Sequence, residues 1–424
     1  MFKQFYTELI LYLIMALLIT ACNDNSTDES IEPYEPVKIG ALIPLTGTLS
    51  EKGKARKNAA QLAVKDLNEA GYPIQLIVAD TETNPTAATA AALHLINDEN
   101  NHILIGGSAS SVTIAVAEQV SIPRQIPQIS YSSTSPLITY LPADEGQDFL
   151  FRTVSPDTQQ GIILARLAYE LMDYEEVSIL YINNAYGQGL SQVFTENFQV
   201  LGGKISAAIP HERESAASYV AALQQAAVGN SEALVAISYT GHARIYLKEA
   251  IEYDFFKKFL FTDGTKSEQL IETLGAEVLE GLCGTASGSS PSESLDIFNS
   301  RYEAEYGEPK MTFLTNTYDA VVIAALAAYS AQAAGDALMP ITIREHLRKV
   351  AGWPGRQVIA GPDGLKQALT YLRQGEHINY VGASGDVDFD KQGDVVTPVE
   401  IWCYQNGQIV SQSLEQPCLL CGKK

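Results

Sequence analysis

The chain has 424 residues, 46% apolar and 18% charged, enough apolar material for two or three folded domains and too little charge for a largely disordered protein. Its formal net charge of −22 argues against a nucleic-acid partner, which is held by clustered Lys and Arg, and it disfavours a basic membrane-surface patch.

The first element in chain order is an apolar run, Leu9 to Ala21, too short for a comfortable bilayer span. It reads as the h-region of a secretory signal peptide. Lys3 and the amino terminus supply its positive end, which Glu8 weakens. The run closes on Ile19-Thr20-Ala21-Cys22, which resembles a bacterial lipoprotein lipobox. Cleavage before Cys22 and lipidation of its sulfur would tether the protein to a membrane. Residues 23–36 are acidic, Ser/Thr-bearing and punctuated by proline, as a solvated linker should be.

From Val37 the patterns alternate between strand and helix. Val37 to Ile43 is a short buried strand, and Pro44 to Gly53 a loop. Lys54 to Glu69 has helical spacing, with Ala55, Ala59, Leu62, Ala63, Asp66 and Leu67 along one side. Gly71-Tyr72-Pro73 breaks it before a strand at Ile74 to Val78. An Ala-rich helix, Thr86 to Asn97, leads to a strand at Ile103. Further strands are expected at Gln128 to Ser130, Val177 to Ile182, Leu234 to Ser238, Phe259 to Phe261 and Val278 to Gly284. The alternation restarts near Phe151-Arg152-Thr153-Val154, a natural lobe boundary. Thr317 to Ala334 is again Ala-rich and helical, and Gly382 to Ile409 suggests late strands or hairpins. The fold class expected is α/β, with parallel sheets covered on both faces. Such sheets place ligands at the carboxyl ends of their strands.

Two loops stand at such ends. Ile103 to Thr113 runs from an apolar strand through Gly106-Gly107-Ser108-Ala109-Ser110-Ser111 into a helix, and Ile129 to Pro136 repeats the arrangement. Backbone N–H groups and serine hydroxyls at a helix start make a socket for a small anion such as a carboxylate. One such loop alone reads as a helix cap; two of them point to one cleft. No G-x-S-x-G elbow, H-E-x-x-H pair, P-loop or G-x-G-x-x-G turn is present, so neither an enzyme nor a cofactor is expected. The six histidines are scattered; His242 lies close after Tyr239, and one histidine is not a catalytic set.

The chain has five cysteines. With Cys22 lipidated, Cys283, Cys403, Cys418 and Cys421 remain, and export would allow them to oxidise. Four cysteines allow three pairings, and sequence does not choose among them. For Cys418-x-x-Cys421 the reading is a structural disulfide pinning the tail, with Cys403 one candidate partner, rather than a zinc or redox site.

From Val37 to about Ile409 the ordered motifs resemble the type I periplasmic binding proteins of amino-acid and amide ABC transporters, the leucine/isoleucine/valine-binding group. They are Ile39-Gly40-Ala41-Leu42-Ile43-Pro44-Leu45-Thr46-Gly47, the Asp80 to Pro85 turn, the Gly106 to Ser111 loop, Ser132-Ser133-Thr134-Ser135-Pro136, Phe151-Arg152-Thr153, Tyr186-Gly187-Gln188-Gly189, Thr317-Tyr318-Asp319-Ala320 and Gly385-Asp386-Val387-Asp388-Phe389-Asp390. The resemblance implies two Rossmann-like lobes joined by a three-segment hinge, closing on a ligand between them. It divides the chain into a lipoprotein signal peptide (1–22), the linker (23–36), lobe 1 (37–154 and 286–381) and lobe 2 (155–285 and 382–424).

Residue by residue, Ser110 matches the family's loop serine that binds the ligand carboxylate, Ser132 a position that offers its backbone, and Thr134 the threonine that completes those contacts. Tyr186 and Tyr239 match cleft aromatics, and Asp263 an acidic residue that pairs with the ligand's ammonium. A zwitterion needs donors at one end and an anion at the other. Lys52 stands where the leucine-type proteins place an aromatic near the ligand side chain; it favours a polar or acidic ligand, or snorkels into solvent. Thr83 and Ala109 replace cysteines that form an early disulfide in some members. The implied function is capture of an amino acid or related small carboxylate outside the membrane and delivery to an ABC permease. The same fold can instead feed ligand occupancy to a signalling partner.

Overall fold

The computed structural model describes residues 35–308, 311–352 and 354–416. The signal peptide, Cys22, Cys418 and Cys421 lie outside the described residues.

Two sheets organise the chain. The first has five strands in the order β2-β1-β3-β4-β5, all parallel: β1 (Lys38–Ile43), β2 (Gln75–Asp80), β3 (Ile103–Ile105), β4 (Gln128–Ser130) and β5 (Leu150–Arg152). The second has seven strands. Its parallel part runs β10-β9-β8-β6-β7, from β6 (Glu176–Ile182), β7 (Lys204–His211), β8 (Ala233–Ile237), β9 (Phe259–Phe261) and β10 (Cys283–Ser287). It is extended antiparallel by the late hairpin of β14 (Val399–Gln405) and β15 (Gln408–Glu415). A small sheet of β11 (Arg356–Ile359), β12 (Ile378–Gly382) and β13 (Gly385–Asp386) lies with the helices that return to the first lobe.

The sequence accounts for the central strands directly. β3, β8 and β9 are buried along their whole length, as continuous apolar runs in helix-covered parallel sheets must be, and β4 is buried too, with Gln128 and Ser130 hydrogen-bonded inside. The helix Leu314–Ala333 is buried at every residue from Asn316 to Ala331 and packs against the helix Ser50–Ala70. Its alanines keep it thin enough to sit inside a lobe.

Three expectations are corrected. Val278 belongs to a short helix, Ala276–Leu279, and the strand starts at Cys283; Gly281, at φ +75°, turns the chain between them. β7 was not foreseen, because Pro210 in an Ala-rich stretch weakens a strand pattern; β7 is the edge strand, where proline is tolerated. Cys403 is bonded to Cys283, not to the tail: the two face each other across antiparallel β10 and β14.

The chain passes between the lobes three times: after β5, after β10 and before β14. These crossings are tied together. Arg152, fully buried, meets the Asp394 carboxylate through Nε at 2.5 Å and Nη2 at 2.9 Å, and donates to the Ser133 and Ser135 carbonyls. Ser155 Oγ lies 2.9 Å from Thr397 Oγ1, which is 3.3 Å from Ser287 Oγ.

Candidate functional site

Both parallel sheets point the carboxyl ends of their strands at the cleft, and the loops there carry the site. After β1, the Asp80 carboxylate accepts from Leu45 N, Thr46 N and Thr46 Oγ1 and so holds the loop that leads into the helix Ser50–Ala70. That helix starts earlier than its apolar spacing suggested, and Lys52 and Arg56 fall on its buried face. After β3 and β4 come the serine loops. Ser110 Oγ accepts from Ser135 N at 3.2 Å, and Ser132 Oγ donates to the Ser108 carbonyl at 2.9 Å. The two loops are therefore bonded to each other.

From the other lobe, Asn184 caps the helix Ala185–Leu201 by accepting from Gly187 N, which sets Tyr186 in the first turn. Tyr239 follows β8, and its ring stacks on Tyr186 with centroids 5.7 Å apart. Asp263 opens the turn after β9, and its Oδ1 accepts from Tyr186 OH at 2.8 Å and Gln160 Nε2 at 2.9 Å. Gly264 is required beside it: a Cβ there would lie 2.3 Å from the Ser238 carbonyl.

Six of the seven residues expected in the cleft line one cavity of about 20 Å³: Lys52, Ser110, Ser132, Tyr186, Tyr239 and Asp263. Thr134 does not line it; its hydroxyl donates to Asp157 Oδ2 at 2.8 Å. The lining polar residues are buried and the space is about that of one water, so an amino acid is admitted only if the lobes part. Bonds across the cleft hold this closed form. Lys52 Nζ donates to the Asp263 carbonyl at 2.9 Å, Ser267 Oγ to Glu51 at 2.5 Å, and Ser135 Oγ to the Ala185 carbonyl at 2.7 Å. A larger hollow of about 270 Å³ between residues 311–316 and the late hairpin is open, and its charged groups, Lys266 and Glu400, are paired with each other.

The electrostatics are those of a buried, mixed-charge pocket. Burial, then the Arg56 charge, brings the Lys52 ammonium down to about 8. Burial and the Asp263 charge push the Asp157 carboxyl well above the usual range, although Thr134 and Arg152 oppose this. Burial raises both Tyr186 and Tyr239, so they stay neutral hydroxyls. Among the described residues no cluster of three or more His, Cys, Asp or Glu could hold a metal, and His242 is occupied with Tyr219 OH at 2.7 Å.

Sequence reasoning passed over Arg56, Phe313 and Asp157. Arg56 carried a signal: positions 52, 56, 59 and 63 follow one helical face, and all four are buried. Phe313 and Asp157 carried none, since neither lies in a recognisable motif.

A two-lobed α/β protein with a closed, polar, interlobe cavity at the strand ends is a binding protein of the periplasmic type. Residues 36–378 match the family described as "Periplasmic binding protein", and the chain belongs to it. It is 26% identical over 372 residues, 86% of each chain, to the "chemotactic signal transduction system substrate-binding protein BasB" of Halobacterium salinarum. Among solved structures it is similar to a leucine binding protein LivK from Thermotoga maritima, at 25% identity and TM-score 0.74, covering 90% of this chain and 99% of that one. It also shares the fold of the branched-chain amino acid transporter substrate binding protein LivJ from Streptococcus pneumoniae in complex with isoleucine, at 23% identity and TM-score 0.72, covering 90% and 100% of the two chains.

Proposed function

We propose that this protein captures an amino acid between its lobes and delivers it to the permease of an ABC importer, tethered to the membrane by a lipid on Cys22. The observation that carries this reading is the one cavity with serine donors on one wall and the Asp263 carboxylate on the other. In it Ser110 and Ser132 hold the ligand carboxylate, Asp263 receives the ammonium, and the Tyr186–Tyr239 stack packs on what lies between. Thr134 holds Asp157 behind them. Charge-assisted hydrogen bonds in a closed pocket gain from the low local dielectric. Contacts from both lobes exist only when the cleft is shut, so binding drives closure. The likeness to the leucine binding protein LivK supports the ligand class.

A thermal-shift screen of the purified protein against the amino acids, small amides and aromatic acids tests this. A ligand at a hundred times its Kd should stabilise the wild type by roughly 2.7 kcal/mol. Asp263→Ala should lose the response to amino acids. A protein that responds only to acids lacking an amine, with Asp263→Ala responding equally, defeats the reading.

The likeness to BasB favours a second reading, in which occupancy is reported to a signalling partner. Uptake of the identified ligand by cells lacking this protein separates the two: lost uptake means transport, and unchanged uptake with lost taxis means sensing.

A further inference from the structure

Arg56 is 2% exposed and lines the cavity, yet its bonding is incomplete. Its guanidinium lies 5.7 Å from the Tyr131 ring centroid and 5.4 Å from that of Phe313. Phe313 is held with φ +67°, a conformation that costs a bulky residue energy and is kept where the surroundings impose it. Cation–π contact with the two rings makes no use of the guanidinium N–H groups. Among the described residues, Arg56 Nε and Nη1 have no hydrogen-bond partner. A buried cation with orphan donors is costly, and a carboxylate oxygen would satisfy either donor with a charge-assisted hydrogen bond.

Lys52, one turn earlier on the same helix, brings a second buried cation to the cavity. Its ammonium has three donors; one goes to the Asp263 carbonyl and a weaker contact, 3.5 Å, to Thr312 Oγ1. We infer that Arg56, backed by Lys52, forms a second anion subsite, and that the ligand is an acidic amino acid whose side-chain carboxylate pairs with this guanidinium. This rests on the amino-acid reading above and adds the side chain to it. Of the acidic residues near the two cations, Asp263 lines the cavity itself. A neutral side chain would leave the Arg56 donors buried and unpaired, and this is how such a site rejects it.

Isothermal titration of the purified protein with L-glutamate, L-aspartate, L-glutamine, L-leucine and glutarate tests the inference, with Arg56→Met and Lys52→Met in parallel. One of the two acidic amino acids should bind at least about tenfold more tightly than glutamine or leucine. Arg56→Met should erase that margin, weakening the acidic amino acids and leaving glutamine and leucine bound at least as tightly as by the wild type, since the unpaired donors are gone. Lys52→Met should narrow the margin less, and it carries the test if Arg56→Met does not fold. Glutamine or leucine binding as tightly as the acids, or a margin that survives Arg56→Met, overturns the subsite and leaves the amino-acid reading standing. Glutarate binding more tightly than every amino acid, and losing that in Arg56→Met, keeps the subsite and overturns the amino-acid reading. No binding by any of the five overturns the subsite, and the thermal-shift screen then decides the amino-acid reading.

Discussion

Arg152 shows how much of the hinge rests on one side chain. The Phe-Arg-Thr motif was legible in the sequence, but nothing in it named Asp394 as the partner, 242 residues away. The pair is buried, and removing one member strands the other. Arg152→Met should therefore cost about 3–5 kcal/mol in urea-induced unfolding, and Asp394→Leu added to it should recover much of the loss. A single variant within about 0.5 kcal/mol of wild type would mean that the hinge is held by the serine and threonine bonds instead. At the site, Ser110, Ser132, Tyr186 and Asp263 were legible because each sits in a short motif following a strand. Arg56 was passed over although its helical spacing was visible. Its meaning depends on Tyr131 and Phe313, which reach it from 75 and 257 residues further on.

Among the elements, the late hairpin is where sequence and structure part most. Its apolar residues signalled strands, but an antiparallel extension of the parallel sheet, placing β14 beside β10, is a tertiary pairing. That pairing sets Cys403 opposite Cys283 and decides among connectivities the sequence left open. The bond closes a loop with a sequence separation of 120 residues, so Cys283→Ser with Cys403→Ser should lower stability by about 2–5 kcal/mol. Chemical denaturation with and without reductant checks this; reductant should move the wild type and leave the double variant unmoved. The strand–turn–helix units behave differently. In Tyr186-Gly187-Gln188-Gly189, Gly187 is needed because a Cβ would meet the Ile182 carbonyl at 2.0 Å, and the Asn184 cap is local. Such units were readable because their causes lie within a few residues.

Across the whole molecule, acid should expose buried groups that belong to neither the cleft nor the hinge. His211 and His242 pack with rings 4.9 Å apart in the second lobe, and burial holds each down to about 4 from 6.5. A folded value below the unfolded one means that the unfolded chain takes up protons first. Their contribution is thus complete above pH 6.5 and is lost as the pH falls towards 4, on the order of 2–3 kcal/mol per ring. Asp319 has the opposite sign. Burial raises it to about 6 despite bonds from Ser384, Ala383 and Tyr380, so it weakens the fold above that pH and is relieved below it. The histidine effect is isolated by comparing wild type with His211→Gln/His242→Gln by urea unfolding at pH 7 and pH 4.5. The wild type should lose several kcal/mol more than the variant over that interval. Equal losses would place the acid sensitivity elsewhere.

The sequence by itself determined the α/β class, the parallel strands and the loops at their carboxyl ends, because hydrophobic period and turn chemistry act over a few residues. It also carried the ordered motifs through which the chain resembles its family. Only the tertiary structure decided which residues meet across the cleft, which cysteines pair, and that Arg56 faces a closed cavity with donors to spare. Those are encounters between segments far apart in the chain, set by how two lobes pack, and no local pattern encodes them.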